Sequence, residues 1–391
     1  MRLFLFTLFF STFQLFSQVV TVEERKIFLD GEEYRINGIC YARGEGNGET
    51  SGFSYLDDIP LLLEANVNTI RTYSMITNVA ELNAFAEAGI KIIMHLNENS
   101  YTWYVNQFKD HPAILMWEFG NEFNYHSEWF GGNIDNWYSQ LETAAANVKI
   151  IDPNHPVSTG HGEVPSLDVI NSCPSVDVWG MNIYRWLNTT SAITDLASYS
   201  DKAMYISESG ADSFNNNTQS VNESQQALAT EQILNTVLSY SDLCAGITLF
   251  EFCDEWWKAG DPNSHDPGGF PISVAYDNFA NEEYWGIVNR DRSKKESFYL
   301  VQEIYGNQLS NVNLDQLQTK IFPNPTSSDI ITIQTILYGV KYVELSDING
   351  RILLNKILET DYLNIGSIDP GMYFVKVTVG GKTSSSKLII K

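Results

Sequence analysis

Basic residues are scarce in this sequence: 24 Lys and Arg face 48 Asp and Glu, a formal net charge of −24. A nucleic-acid partner needs a basic patch, so that class is excluded, and docking on anionic lipid is disfavoured on the same ground. Cysteine is scarce too. Cys40, Cys173, Cys244 and Cys253 are too few and too scattered for a disulfide scaffold or a zinc site. No closely spaced ligand set such as HExxH occurs, so no metal is implied, and nothing calls for a cofactor. Beyond residue 17 no apolar stretch approaches the ~20 residues that span a bilayer, so no stable membrane span is expected in the mature protein.

What is present begins with residues 1–17, one arginine followed by an almost unbroken apolar run, which reads as a secretory signal peptide. After it, short β-rich runs alternate with amphipathic helical stretches. Strands are predicted at Tyr34–Ala42, Val67–Tyr73, Lys91–Leu96, Ala113–Glu122, Val157–His161, Val176–Tyr184, Ala203–Ser209 and Ala245–Phe252. Helices are predicted over Tyr55–Ala65, Asn136–Val148, Gln225–Leu238 and Glu296–Tyr305; the second places Trp137, Leu141, Ala144, Ala145 and Val148 on one stripe. Runs such as AILMWEF are apolar throughout, as a parallel sheet covered by helices requires. Eight βα units predict a (β/α)8 TIM barrel over residues 18–305. The Gly-rich phosphate loop of the open doubly wound alternative is missing after the first strand. Residues 306–318 read as a polar linker, and 319–391 as a small all-β, Ig-like sandwich of short alternating strands. Cys40 falls on the first predicted barrel strand and Cys253 directly at the end of the last, which leaves two readings open, a disulfide or buried free thiols.

A barrel of this kind carries its chemistry at the C-terminal ends of its strands. The fourth strand ends WEFGNEF, placing Asn121 and Glu122 at the rim; the seventh ends MYISESG, placing Glu208 there. Glycoside hydrolysis of the usual kind needs two such carboxyls across the scissile bond, about 5–5.5 Å apart in retaining enzymes. Arg71 on the second strand and Tyr184 at the end of the sixth are candidate partners for Glu208, and Asn121 is a candidate ligand for a sugar 2-hydroxyl. Asn182, Trp186 and Trp257 join the expected substrate-binding residues, the tryptophans as platforms for sugar rings. His161 and His95 are candidates for contact with substrate hydroxyls. The plainer reading of these aromatics is packing. Glu118, four residues before Glu122, is read as a buried partner for Arg71.

The run HPAILMWEFGNE (His111–Glu122) resembles the acid/base segment of the family 2 glycoside hydrolases. MYISESGAD resembles that family's nucleophile segment, and WGMNIYRW its sixth-strand motif. The similarity covers about residues 25–305 and implies Glu122 as acid/base and Glu208 as nucleophile. DIPLLLEANVNTIRTY also resembles the β-1,3-glucanosyltransferases, and WEFGNE the family 5 mannanases. Family 2 enzymes usually carry β-sandwich domains before the barrel, whereas here the first barrel strand is expected soon after the leader, so substrate specificity does not carry over. At the other end KIFPNPTSSDIITI, VELSDINGRIL and DPGMYFVKV resemble a type IX secretion sorting domain. That resemblance implies the type IX machinery as a partner and passage through the periplasm to the surface or the medium. The expectation is therefore an exported retaining β-glycosidase with a carbohydrate substrate. A transglycosylase using the same intermediate and a catalytically inactive carbohydrate-binding barrel are the alternatives.

Overall fold

The computed structural model describes residues 18–42, 52–309, 319–335, 340–347, 350–358, 360–379 and 382–391. The leader expected at 1–17 and residues 310–318 of the expected linker lie outside them. The first three strands, β1 (Val20–Glu23), β2 (Lys26–Leu29) and β3 (Glu32–Tyr34), form an antiparallel sheet that precedes the barrel and is absent from the sequence-based prediction. Strands of three or four residues carry too little alternation to register. The Glu24–Arg25 turn, with both residues at positive φ, also lacks the Asn-Gly signal such hairpins usually show. Val20 and Ile27 of this sheet pack with Ile36, Ile93, Leu115, Met116 and Tyr205.

Eight parallel strands then close the barrel: β4 (Ile36–Cys40), β5 (Thr69–Arg71), β6 (Lys91–Leu96), β7 (Ile114–Asn121), β8 (Val157–Gly162), β9 (Val178–Asn182), β10 (Ala203–Glu208) and β13 (Gly246–Leu249). Two short hairpins interrupt the count. β11 (Phe214–Asn215) pairs with β12 (Ser220–Val221), and β14 (Gly269–Pro271) with β15 (Phe279–Asn281), the second pair lying in the long connection after the last barrel strand. Helices α1 (Tyr55–Glu64), α2 (Val79–Glu87), α3 (Tyr101–Phe108), α4 (Asp135–Ile151), α5 (Leu167–Ser172), α6 (Thr189–Ala197), α7 (Glu223–Ser239) and α8 (Glu296–Leu309) connect the strands or follow them. The stripe predicted on α4 is buried at every position. α1 opens with a Ser54 capping box, which satisfies two of the backbone donors a helix start leaves bare. α8 runs to Leu309 and so takes in the first four residues expected for the linker. All four cysteines are buried free thiols, which settles the two readings of Cys40 and Cys253.

The C-terminal residues form two antiparallel sheets. One joins β16 (Thr319–Phe322), β17 (Ile330–Thr335) and β20 (Tyr362–Asn364); the other joins β18 (Lys341–Asp347), β19 (Ile352–Leu358), β21 (Gly371–Val379) and β22 (Lys382–Ile390). They share a core of their own, including Ile331, Ile333, Val343, Leu345, Val375 and Leu388. Among the described residues no helix is long and apolar enough to cross a membrane.

Inside the barrel the packing is not wholly apolar. Arg71 and Glu118 are fully buried there, and Tyr205 donates its hydroxyl to Glu118. Room for these side chains comes from two neighbouring glycines, Gly160 on β8 and Gly180 on β9, which face each other in register. A Cβ at Gly160 would overlap the Arg71 guanidinium, and one at Gly180 would press on the Tyr205 ring. Gly160→Ala is expected to cost the barrel about 1–3 kcal/mol through this overpacking. The measurement is a urea titration of the barrel's tryptophan fluorescence; an unchanged midpoint would mean that Arg71 can yield.

Candidate active site

Arg71 organises the rim. Its Nε donates to Glu118 Oε1 (2.6 Å), one terminal nitrogen to Glu208 Oε1 (2.8 Å) and the other to Asn121 Oδ1 (2.9 Å). Ser158 donates to the other oxygen of Glu118 at 3.2 Å. With every ionic partner in place, the buried guanidinium is anchored on one side and presents two donors to the rim on the other. Burial alone would lower the Arg71 pKa, but the Glu118 carboxylate beside it, with Glu208 adding to the effect, leaves it raised.

Glu208, at the end of β10, accepts from Arg71 and from two phenols, Tyr73 at 2.7 Å and Tyr184 at 3.0 Å. Burial, and then neighbouring negative charge, raises both phenols well above their ordinary range, so each keeps its proton and donates. Glu122 follows β7 with a left-handed backbone (φ +57), a conformation a non-glycine residue adopts at a cost of about 1 kcal/mol or more. Its N–H donates to the Gly160 carbonyl at 2.8 Å, and Gly120, also at positive φ, lets the Trp137 ring lie against the turn. Asn182 at the end of β9 ties the halves together. Its Oδ1 accepts from Ser207 at 2.6 Å, which orients its amide to donate to Asn121 (3.1 Å) and to Glu122 Oε1 (3.0 Å). Burial first, and then the charge of Glu208, pushes the Glu122 carboxyl up to about 7, against the opposing Asn182 hydrogen bond.

Both glutamates face a cavity of about 480 Å³. Of the residues expected to bind substrate, Asn182 and Tyr184 line it. Arg71 and Asn121 stand behind the lining and position the glutamates. His161, Trp186 and Trp257 are not among the lining residues. The His161 ring is committed on both nitrogens, to the Tyr138 hydroxyl (3.1 Å) and the Glu163 carbonyl (2.9 Å), and burial lowers its pKa. Trp186 stands edge-on to Tyr276, and Trp257 has Lys258 over its ring at 5.9 Å. His95 is also absent from the lining; burial, and then Arg71, lowers it to about 4.

The aromatic walls come from residues the strand pattern did not single out. Trp285 meets Tyr184 and Phe250 edge to face, at 5.5 and 5.3 Å, while Tyr125 follows Glu122 in the next turn. The β14–β15 hairpin and its flanks supply Phe270, Ile272, Ser273, Ala280 and Glu282, and Glu163 completes the acidic lining. Tyr73, which donates to Glu208 from behind the lining, carried a sequence signal, because it ends the strand predicted over Val67–Tyr73; in the structure it lies two residues past the end of β5.

Fold and site together define a (β/α)8 barrel with paired glutamates at the ends of its fourth and seventh strands. Residues 320–391 match the secretion system C-terminal sorting domain family, and such a tail points to export. The fold is similar to that of a GH2 β-galacturonidase from Eisenbergiella tayi (19% identity, TM-score 0.56, 74% of this chain and 54% of that one). It is also similar to a β-glucuronidase from Bacteroides uniformis (16% identity, TM-score 0.58, 96% and 48%). A putative β-galactosidase from Bacteroides fragilis matches at 14% identity, with a TM-score of 0.56, over 96% and 57%. The chain thus spans about half the length of these structures. A segment of 88 residues is 34% identical to mannan endo-1,4-beta-mannosidase F of Aspergillus clavatus, covering 20% of this chain and 19% of that protein.

Glu208→Gln removes the second-largest cause of the raised Glu122 pKa while leaving its burial. The Glu122 pKa is therefore expected to fall part of the way from about 7 toward the ordinary carboxylate range. Carboxyl-carbon NMR with labelled glutamate reads this directly; an unmoved Glu122 resonance would show that the two groups do not sense each other.

Proposed function

We propose that the barrel is a retaining β-glycoside hydrolase acting on a β-linked oligo- or polysaccharide, exported through the periplasm by way of its C-terminal tail. The observation that carries this reading is the contrast between two glutamates on one cavity. Glu122 is raised to about 7, so it holds a proton near neutrality, while Glu208 takes three donors, one of them a guanidinium. Environments that differ in this way divide acid from nucleophile. The β-galacturonidase and β-glucuronidase structures share the fold, and the 88-residue likeness to a mannan endo-1,4-beta-mannosidase adds to the case.

In the first step a carboxylate oxygen of Glu208 attacks the anomeric carbon. The glycosidic C–O bond breaks, and Glu122 gives its proton to the departing oxygen. Glu122, now ionised, takes a proton from water; the hydroxide oxygen displaces Glu208 from the anomeric carbon and both glutamates return to their starting states. Asn182 keeps hold of Glu122 during the cycle, and Tyr73, Tyr184 and Arg71 position Glu208.

The test is an activity screen on β-linked polysaccharides and aryl β-glycosides. Glu208→Gln is expected to abolish turnover. Glu122→Gln should slow poor leaving groups by about a hundredfold to ten-thousandfold and activated aryl glycosides less. Turnover unaffected by Glu208→Gln would sink the assignment. Because the acid form of Glu122 is required, kcat/KM should fall as pH rises through about 7; a rate still climbing at pH 8 would contradict the role of Glu122.

A further inference from the structure

We propose that Glu282 sets the substrate class of this cavity. Its carboxylate accepts hydrogen bonds from hydroxyls of a neutral sugar unit and turns uronic acids away. The inference rests on the glycosidase reading above and deepens it. Four carboxyl groups line the cavity: Glu122, Glu163, Glu208 and Glu282. Three of them have partners in the protein. Glu208 has Arg71 and two phenols, Glu122 has Asn182, and Glu163 is gripped by Arg185 Nε at 3.1 and 2.9 Å. Among the described residues the Glu282 carboxyl takes no hydrogen bond. The ammonium of Lys258, whose charge it feels, is held by both oxygens of Glu251 (2.7 and 2.9 Å) and by Glu255 (2.9 Å).

The backbone around Glu282 is built to hold it there. Its N–H donates to the Gly268 carbonyl at 2.9 Å. On one side Asn281 is fully buried, with its N–H on Asp212 (3.3 Å) and its side-chain amide on the Pro267 carbonyl. On the other Glu283 is fully buried and accepts from the Asp266 N–H at 2.6 Å. Half-buried Glu282 is thus clamped between two anchored neighbours on the cavity wall. Burial, and then the nearby anions Glu208 and Glu255 against the pull of Lys258, raises its pKa. A group in that position gains from hydroxyl donors and loses from a further anion. An ionised carboxylate only accepts, and its two oxygens suit two hydroxyls of one sugar ring. A uronate would bring a fifth carboxyl into a partly desolvated space where like charges repel strongly. The solved structures of this fold named for galacturonides and glucuronides therefore need not share its specificity.

The experiment compares kcat/KM on pairs of aryl β-glycosides that differ only at C6: glucoside against glucuronide, and galactoside against galacturonide. The wild-type protein is expected to favour the neutral member of each pair by at least about a hundredfold. Glu282→Gln should raise KM for the neutral substrate about tenfold, with kcat little changed, and narrow the discrimination; Glu282→Lys should narrow it further. Calorimetric binding of the free neutral sugars and their uronic acids to the wild-type protein reads the same preference without turnover. Preference for the uronide, or a discrimination ratio that neither variant moves, would overturn the inference. If Glu208→Gln is inactive while the uronide is preferred, only this inference falls. If Glu208→Gln is as active as wild type, the glycosidase reading falls with it.

Discussion

A guanidinium inside the barrel, fully shielded from water, is the constraint around which the rest of the site is arranged. A buried charge survives only with partners whose geometry is nearly ideal, and removing one partner from such a group typically costs about 3–5 kcal/mol. Arg71 answers this with Glu118 within the barrel and Glu208 and Asn121 at the rim. Satisfying the arginine therefore fixes the carboxylate that serves as nucleophile in the proposed reaction. It also fixes, through Asn121 and Asn182, the amide that touches Glu122. The stability of the barrel interior and the geometry of the site are one problem. Gly160 and Gly180 belong to it as much as the charged residues do, because they leave the space in which the Arg71 guanidinium and the Tyr205 ring lie.

The walls of the cavity obey a different logic. Strand ends deliver Glu122, Asn182 and Glu208, but much of the lining comes from connections. The connection after β13 contributes the most, folding a small hairpin of its own to present Phe270, Ile272, Ala280 and Glu282. Division of labour between a rigid rim and variable connections is what allows one barrel to serve many substrates. It also explains why proteins of similar fold and low identity are weak guides to the sugar this one takes.

The outlying parts are consistent with work outside the cell. Net charge of −24 keeps a protein soluble and discourages nucleic-acid contact. The C-terminal sheets have a core separate from that of the barrel, so the sorting tail need not lend residues to the cavity.

Much of this was legible in the sequence. Continuous apolar runs, helical stripes and their alternation specify eight parallel strands and the order in which they close, because periodicity is local and the barrel adds little freedom once eight units exist. Strand ends place Glu122 and Glu208 at the rim, and the resemblance to the family 2 glycoside hydrolases points to the same pair. Parity relates only Glu118 to Glu122, and the chain departs from it, since Gly120 and Glu122 take positive φ and Asn121 joins Glu118 on Arg71. Other features depended on contacts between segments far apart in the chain. The N-terminal sheet is made of strands too short to show a pattern, and α8 continues into a polar stretch that reads as linker. His161 sits at a strand end, as expected, but turns both nitrogens to Tyr138 and the Glu163 backbone. Trp186 and Trp257 lie on connections, where no period relates position in the chain to direction in space, and the cavity instead takes Phe250, Phe270 and Trp285. The sequence by itself determined the barrel, through local periodicity, and set two glutamates at strand ends, the pair to which the family 2 resemblance also points. Only the tertiary structure decided how Glu122 is buried beside Glu208, which raises its pKa, and what lines the cavity, because both depend on neighbours that the chain brings together from a distance.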